Sequence, residues 1–225
     1  MLKNLTLFGM ACFLAASNDV IANNDSTTVN LGHFYVDAPQ QNYQFTSVSA
    51  KYNNKNWSGK ISVPYIQKAQ GANGIGNTQL KLTRQWRSQN YLVRTHIKQK
   101  LNTANRHVAT GVNDSAIAFE INRGFSWGVG FVESGYWWRE NKTYSRENTW
   151  YGSAGIISSI KPYTVGLLVD HKPTALGETD SVASLLLKRS IASGYSITAL
   201  LGAGLNTDSP NTIIGIQLSK KIRAL

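Results

Sequence analysis

The feature that most constrains this chain is an alternation of apolar and polar side chains with a period of two residues. It recurs in segments of roughly ten residues, the length that a strand needs to cross a membrane at a tilt. YLVRTHIKQK, residues 91–100, and IAFEIN, residues 117–122, show it clearly. About eleven such segments follow a weaker one, VNLGHFYV, at 29–36. The pattern predicts an all-β chain whose strands carry two chemically different faces.

The connections between these segments alternate in length along the chain. Short connections are expected at 53–56, 88–90, 122–124, 159–162 and 191–194. Longer polar loops are expected at 37–42, 68–77, 102–114, 139–148, 171–180 and 206–211. This alternation is typical of an up-and-down antiparallel barrel with tight turns at one rim and larger loops at the other. We therefore predict a transmembrane β-barrel of about 12 strands with both termini on the tight-turn side.

The identity of the outward face distinguishes a membrane barrel from a soluble exported β-protein, which alternates equally well. Aromatic residues gather near strand ends, as membrane-interface girdles require, and the polar face is rich in glycine and serine. Both features favour apolar side chains that point to lipid. Val129 and Phe131 are assigned to this apolar face with Trp127. The predicted interface aromatics are Trp57, Tyr65, Trp86, Tyr91, Trp127, Trp137 and Trp150.

The N-terminus has the features of a secretory signal peptide. Lys3 precedes an apolar block, residues 5–16, that is too short to span a bilayer as a helix. Small and apolar residues then lead to Ala22, after which we expect cleavage. Residues 1–22 are thus the predicted signal peptide, and 23–225 are the predicted barrel domain. The one cysteine, Cys12, lies within the signal peptide, so no disulfide framework is expected.

Composition excludes several classes of protein. A chain with 42% hydrophobic and 10% aromatic residues is too apolar for a disordered tail. No uninterrupted apolar run is long enough for a transmembrane helix. The net charge of +11 could suggest nucleic-acid binding, but the basic residues are scattered and the chain is predicted to be exported. We expect no nucleic-acid partner, and contact with outer-membrane lipid and lipopolysaccharide instead.

Four segments resemble bacterial outer-membrane β-barrel proteins of the porin- or transporter-like kind: NWSGKISVPYI, GIGNTQLKLTRQW, ATGVNDSAIAFEINR and NTWYGSAGI. In that family a tryptophan-led strand ends in Pro-Tyr, a Thr-Gly-x-x-Asp sequence ends a loop, and a strand starts with Asn-x-Trp-Tyr. The matching residues are Trp57, Pro64, Tyr65, Thr110, Gly111, Asp114, Asn148, Trp150 and Tyr151. The chain departs from the family at Asn77, where aspartate is usual, and at Leu225, where such barrels finish in an aromatic residue that the barrel-assembly machinery reads. The resemblance implies the fold and that assembly partner, and it fixes no substrate or catalytic residue.

The strongest candidate for a functional site is a cluster of basic side chains. If apolar faces point to lipid, three consecutive strands direct their cationic and titratable side chains into the lumen, where they would attract anions. These residues are Lys60, Lys81, Arg94, His96, Lys98 and Lys100, with Glu120 as an acidic partner. The alternative is a structural network in which bases and carboxylates fill a narrow barrel.

We therefore expect an outer-membrane channel for the passive passage of small solutes, anions among them. The alternatives are a surface or structural barrel with a plugged lumen and a lipid-modifying hydrolase with a lipid-facing serine and histidine. The four histidines, His33, His96, His107 and His171, form no metal-binding spacing, and His107 and His171 are assigned to loops. No cofactor, metal or catalytic residue is predicted.

Overall fold

The computed structural model describes residues 25–223 except 40, 70, 106–107, 109–112, 141–146 and 174–178. The predicted signal peptide, 1–22, lies outside the described residues, as do Thr110, Gly111 and the C-terminal Leu225.

The described residues form twelve long strands, one short strand and a single turn of 3-10 helix, Ala192–Gly194. The long strands have 10 to 12 residues each, as the alternating segments predict. In chain order the strands are β1 (Ser26–Asp37), β2 (Tyr43–Asn53), β3 (Trp57–Lys68), β4 (Asn73–Ile75), β5 (Thr78–Arg87), β6 (Tyr91–Leu101), β7 (Asp114–Phe125), β8 (Gly128–Arg139), β9 (Thr149–Ile160), β10 (Tyr163–Pro173), β11 (Thr179–Ser190), β12 (Tyr195–Gly204) and β13 (Thr212–Arg223).

The strands close into a barrel. Each long strand pairs antiparallel with its neighbours in sequence, and β1 closes the ring by pairing with β13 along its whole length. The short β4 pairs only with β3 and stands outside the ring of twelve. The predicted fold class, an up-and-down antiparallel barrel of about twelve strands, is confirmed. Within the described residues, no helix is both long and apolar enough to cross a membrane.

The apolar face points outward. Large hydrophobic side chains such as Leu31, Ile97 and Phe119 are exposed, whereas neighbouring polar and charged side chains such as Asn30 and Lys98 are buried inside the barrel. A soluble barrel would show the opposite arrangement, because its apolar side chains form a dry interior. The outer surface is therefore the apolar band that a transmembrane barrel presents to lipid.

The connections alternate in length as predicted, with three differences in position. The expected short connection at 122–124 is strand, because β7 continues to Phe125 and turns at Ser126 and Trp127. His171 was assigned to a loop but lies in β10. The loop expected at 68–77 contains β4, whose residues pair with the end of β3.

The assignment of faces in β8 was wrong by one residue. Phe131, Glu133 and Trp137 are buried on the inward face, and Val132 is exposed on the outward face. Trp137 packs with Ala116, Ala118 and Tyr151, so it is not an interface aromatic. The alternation is ambiguous here because β8 carries large apolar residues on both faces, so polarity does not tell inside from outside.

A second unexpected feature is an apolar row on the inward face. Its residues, which we call the apolar row, are Ile157, Leu186, Leu200, Phe34, Phe45 and Ile66. They lie in one continuous cross-strand register from β9 through β13 and β1 to β3, with Gly166 and Gly215 completing it. The rings of Phe34 and Phe45 stack with their centroids 4.7 Å apart. The apolar row therefore crosses the inward face of these strands, which also carries buried polar residues such as Asn30, Ser184 and Gln217. The ion-paired side chains concentrate around β6, which we call the charged side of the lumen.

Candidate functional site

Four lysines form a continuous row on the charged side of the lumen. Lys51 pairs with Lys60, Lys60 with Lys81, and Lys81 with Lys98, on the neighbouring strands β2, β3, β5 and β6. We call these four residues the lysine row. The row starts near the tight-turn ends of β2 and β3 and reaches the long-loop half of β6. Like charges directly opposite each other destabilise a sheet, so this register has an energetic cost that neighbouring carboxylates must offset.

Glu120 on β7 is the carboxylate around which side chains of β6 and β7 gather. Nη1 of Arg94 donates to Oε1 of Glu120 at 2.6 Å, and Nδ2 of Asn122 donates to the same oxygen at 2.6 Å. Nε2 of His96 lies 3.0 Å from Oε2 of Glu120, while Nδ1 of His96 lies 2.8 Å from the hydroxyl of Thr83. These side chains are all buried, so the pairing fixes their geometry.

Glu133 on β8 contacts the two lysines at the β6 end of the lysine row. Nζ of Lys98 donates to Oε1 of Glu133 at 2.6 Å, and Nζ of Lys81 lies 4.0 Å from Oε2. The Lys98 ammonium also lies 4.7 Å from the centre of the Tyr151 ring. One strand position from the long-loop end, Lys100 forms an ion pair with Asp114. The alternative of a structural ion-pair network is thus realised for Arg94, Lys98 and Lys100.

The cations on this wall outnumber the carboxylates. Lys51, Lys60, Lys81, Arg94, Lys98 and Lys100 face inward from β2 to β6, and the carboxylates they meet on β7 and β8 are Asp114, Glu120 and Glu133. Nη2 of Arg94 is buried and has no hydrogen-bond partner among the described residues. Among the described residues of β2 to β8, this wall thus carries more lysine and arginine than carboxylate side chains, which favours anions in the lumen.

Three donor atoms on this wall are close enough to hold a metal ion. Nε2 of His96 and one oxygen each of Glu120 and Glu133 all lie within 4.8 Å of one another. The second oxygen of each carboxylate already accepts from Arg94 or Lys98. Since these two cations neutralise the carboxylates, the arrangement fits an internal ion-pair network better than a cation site.

The structure places all six predicted basic residues and Glu120 on the inward face, and it adds residues that the sequence did not indicate. Lys51 went unnoticed because the alternation around it, in SVSAKYN, is weak: Ala50 separates the two large outward residues, Val48 and Tyr52. Glu133 went unnoticed because the wrong face was assigned to β8. Asp114 was matched only as the end of a loop motif, and its contact with Lys100 depends on the β6–β7 register.

The predicted interface aromatics other than Trp137 are exposed on the outer surface. Trp57, Trp86, Tyr91 and Trp127 lie at the tight-turn end of the barrel, and Tyr65 and Trp150 at the long-loop end. They occupy the two heights at which girdles form in membrane barrels. Their role at the membrane interface stays a prediction.

One serine–histidine pair lies on the outward face. Nδ1 of His171 on β10 is 2.8 Å from Oγ of Ser181, its direct partner on β11. A hydrolytic site also needs a group that orients the histidine and donors that stabilise an oxyanion. Among the described residues, no carboxylate is hydrogen-bonded to the other ring nitrogen of His171. The pair alone does not make a catalytic centre.

Comparison with known proteins identifies the fold and leaves the family open. The chain matches no protein-family model and no curated protein by sequence. Among solved structures, an outer membrane channel from Pseudomonas putida F1 has a TM-score of 0.69 at 9% identity, covering 91% of this chain and 98% of that one. The NanC porin has a TM-score of 0.64 at 9% identity, covering 88% of this chain and 100% of that one.

The KdgM porin, in a complex with disordered oligogalacturonate, has a TM-score of 0.63 at 9% identity. That match covers 86% of this chain and 98% of the porin. At this identity the likeness concerns the fold. The chain has the fold of outer-membrane, porin-like β-barrels.

Proposed function

We propose that this protein is an outer-membrane channel for the passive passage of small solutes, with a preference for anions. The observation that carries the proposal is the lysine row, which brings four lysine side chains into direct cross-strand register inside a closed barrel. A register of like charges costs stability, so its presence is best explained by a function that uses the positive potential. The porin fold of the structural neighbours supports the channel part of the proposal.

The solutes are proposed to be small because the lumen is narrow. Inward side chains from both walls, such as Phe45, Leu186 and Lys98, are almost completely buried. Lys51, Lys60 and Lys81 retain partial exposure and so remain within reach of a solute. A barrel of twelve strands lies between small barrels filled by side chains and large ones with an aqueous pore.

The same burial favours a second candidate, a surface or structural barrel whose lumen is filled by its own side chains. In that case the ion pairs of Arg94, Lys98 and Lys100 act only as packing inside the membrane. The two candidates differ in a single measurable property, since only an open lumen conducts ions.

The experiment is single-channel recording of the purified protein in planar bilayers, with the reversal potential measured across a salt gradient. We expect discrete conductance and anion preference. The double variant Lys60→Gln/Lys81→Gln should lower that preference, because it removes two charges from the lumen. The matched control is Lys55→Gln/Lys161→Gln, which removes two charges from exposed tight turns and should leave the preference unchanged.

Each outcome decides one part of the proposal. A folded protein without conductance contradicts the channel and supports the filled barrel. Conductance with equal permeability to cations and anions contradicts the anion preference alone, as does a preference that Lys60→Gln/Lys81→Gln leaves intact.

The export and partner assignments belong to the same proposal. We propose removal of residues 1–22 on export and assembly by the barrel-assembly machinery. Lipopolysaccharide contact is also proposed, and the loop cations Arg106, Lys142 and Arg146 that could make it lie outside the described residues.

A further inference from the structure

Basic side chains lie beside aromatic rings at four places on the outside of the tight-turn end. The guanidinium of Arg84 is 4.7 Å from the centre of the Trp57 ring and 5.8 Å from that of Trp86. The other three pairs are Arg123 with Tyr91 and Phe125 at 5.6 and 5.3 Å, Arg189 with Tyr163 at 5.7 Å, and Lys220 with Tyr195 at 3.9 Å. We call these four basic residues and their rings the basic–aromatic rim.

The rim faces the surroundings of the barrel and not its lumen. Arg84, Arg123, Arg189 and Lys220 each share a strand face with exposed apolar residues such as Leu82, Ile121, Leu187 and Leu218. The four basic residues lie on β5, β7, β11 and β13, so they form two arcs on the circumference. Lys55 and Lys161, in the adjoining tight turns, add a cation to each arc.

Charge is distributed unequally between the two ends of the barrel. Among the described residues, every strand cation that shares a face with the outward apolar side chains lies at the tight-turn end. Among the described residues, the tight-turn rim carries one carboxylate, that of Asp25. It accepts a hydrogen bond from Tyr52 at 2.8 Å. The described carboxylates near the long-loop rim are more numerous: Asp37, Asp114, Glu140, Glu147, Asp180 and Asp208.

This combination of groups matches the chemistry of a phospholipid headgroup region. Guanidinium forks bind phosphate oxygens in a bidentate manner, and amphipathic rings lie at the level where acyl chains meet headgroups. Basic residues at this depth are attracted to anionic lipids within about one Debye length of the surface. Nζ of Lys220 also donates to the carbonyl of Ser193 at 2.7 Å, which holds the ammonium at the rim.

We propose that the basic–aromatic rim is a binding surface for anionic phospholipids of the periplasmic leaflet. The tight turns of outer-membrane barrels face the periplasm, so this end lies in the leaflet built from phospholipids. Each basic–aromatic pair places a cation at phosphate height, with its ring against the upper acyl chain. The proposal rests on the outer-membrane location and is independent of conductance. A failure of lipid binding would therefore leave the channel proposal intact, and a failure of conductance would leave the lipid proposal intact.

The test is native mass spectrometry of the full, detergent-folded protein with phosphatidylglycerol or phosphatidylcholine as the probe. We expect severalfold preferential retention of phosphatidylglycerol, weakened by salt. Arg84→Gln/Arg123→Gln/Arg189→Gln should abolish the preference. The control Lys68→Gln/Arg139→Gln/Lys172→Gln removes three charges from inward-facing strand positions near the other rim and should keep the preference.

Equal retention of the two lipids by the unaltered protein would overturn the proposal. So would a preference that survives the triple rim variant, or one that only the control variant loses, because the anionic lipid would then bind elsewhere. Preferential capture of acidic proteins without lipid preference would assign the rim to a periplasmic partner and also overturn it.

Folding is verified by heat-dependent migration on denaturing gels. If the triple variant does not fold, Arg123→Gln and Arg123→Lys provide the same comparison at one pair. Lysine keeps the charge but loses the planar fork, so it should retain part of the preference, and glutamine should retain less. Equal retention by these two variants and the unaltered protein would contradict a role for Arg123 in the rim.

Discussion

Glu120 on β7 and Glu133 on β8 are direct cross-strand partners, and both carboxylates are buried on the inward face. Two buried like charges at this spacing are compatible with folding only if cations neutralise both. Arg94 and Lys98, from the adjacent β6, supply the two ion pairs at 2.6 Å. The stability of the charged wall therefore depends on the match between β6, β7 and β8.

This dependence leads to a prediction for Arg94→Gln. Removal of one partner leaves Glu120 buried without its main counter-ion, so the free energy of unfolding should fall by about 3 kcal/mol. Urea unfolding of the protein in lipid vesicles measures the change.

A double-mutant cycle provides the control for this prediction. Glu120→Gln in the Arg94→Gln background removes the unpaired carboxylate and should restore part of the lost stability. If the double variant is less stable than Arg94→Gln by the full cost of a second independent lesion, the two residues are not coupled as described.

Gly215 gives a prediction for the apolar row. A Cβ at this position would come within 2.5 Å of Cε1 of Phe34, its cross-strand partner, so Gly215→Val must displace the ring. We expect a loss of about 1–3 kcal/mol in unfolding free energy, the usual cost of overpacking. Gly59→Ala is the control, because nothing lies within 4 Å of its Cβ position and stability should hardly change. Equal losses in the two variants would contradict the described packing.

Trp137 and Trp138 are adjacent in sequence but lie on opposite sides of the barrel wall. Trp137 is 8% exposed and faces the lumen, and Trp138 is 47% exposed on the outer surface. In variants that retain only one tryptophan, brominated lipids should quench the fluorescence of Trp138 strongly and that of Trp137 weakly. Stronger quenching of Trp137 would mean that the faces of β8 are reversed.

The proposed signal peptide gives a prediction that does not depend on the barrel. If cleavage follows Ala22, intact-mass analysis of protein recovered from outer membranes should show a mature chain that begins at Asn23. Retention of residues 1–22 in the membrane fraction would contradict the assignment.

The sequence predicted the fold where one face of a strand is polar and the other is apolar. Arg94, His96 and Lys98 were placed inward because Val93, Thr95 and Ile97 alternate with them. The same reasoning failed in β8, where Phe131 and Trp137 put large rings on the inward face and removed the contrast. The large inward rings of β8 are thus the physical reason for the error.

The lysine row could not be predicted from single strands. Alternation gives the face of each lysine, but the alignment of Lys60 with Lys81 or Lys98 depends on how far neighbouring strands are shifted past each other. That shift is set by turn lengths and by closure of the whole sheet, which are properties of the assembled barrel. The pairing of Glu120 with Glu133 was missed because the wrong face was assigned to β8.

The pairing of β1 with β13 means that the first and last strands meet only when nearly the whole chain is present. Until then the growing sheet has two open edges, whose unpaired amide and carbonyl groups cannot be left in hydrocarbon. A chain that stopped before residue 212 would lack β13, the partner of β1, and could not remain stably inserted in the bilayer. Completion of synthesis is therefore a structural precondition for stable residence in the bilayer.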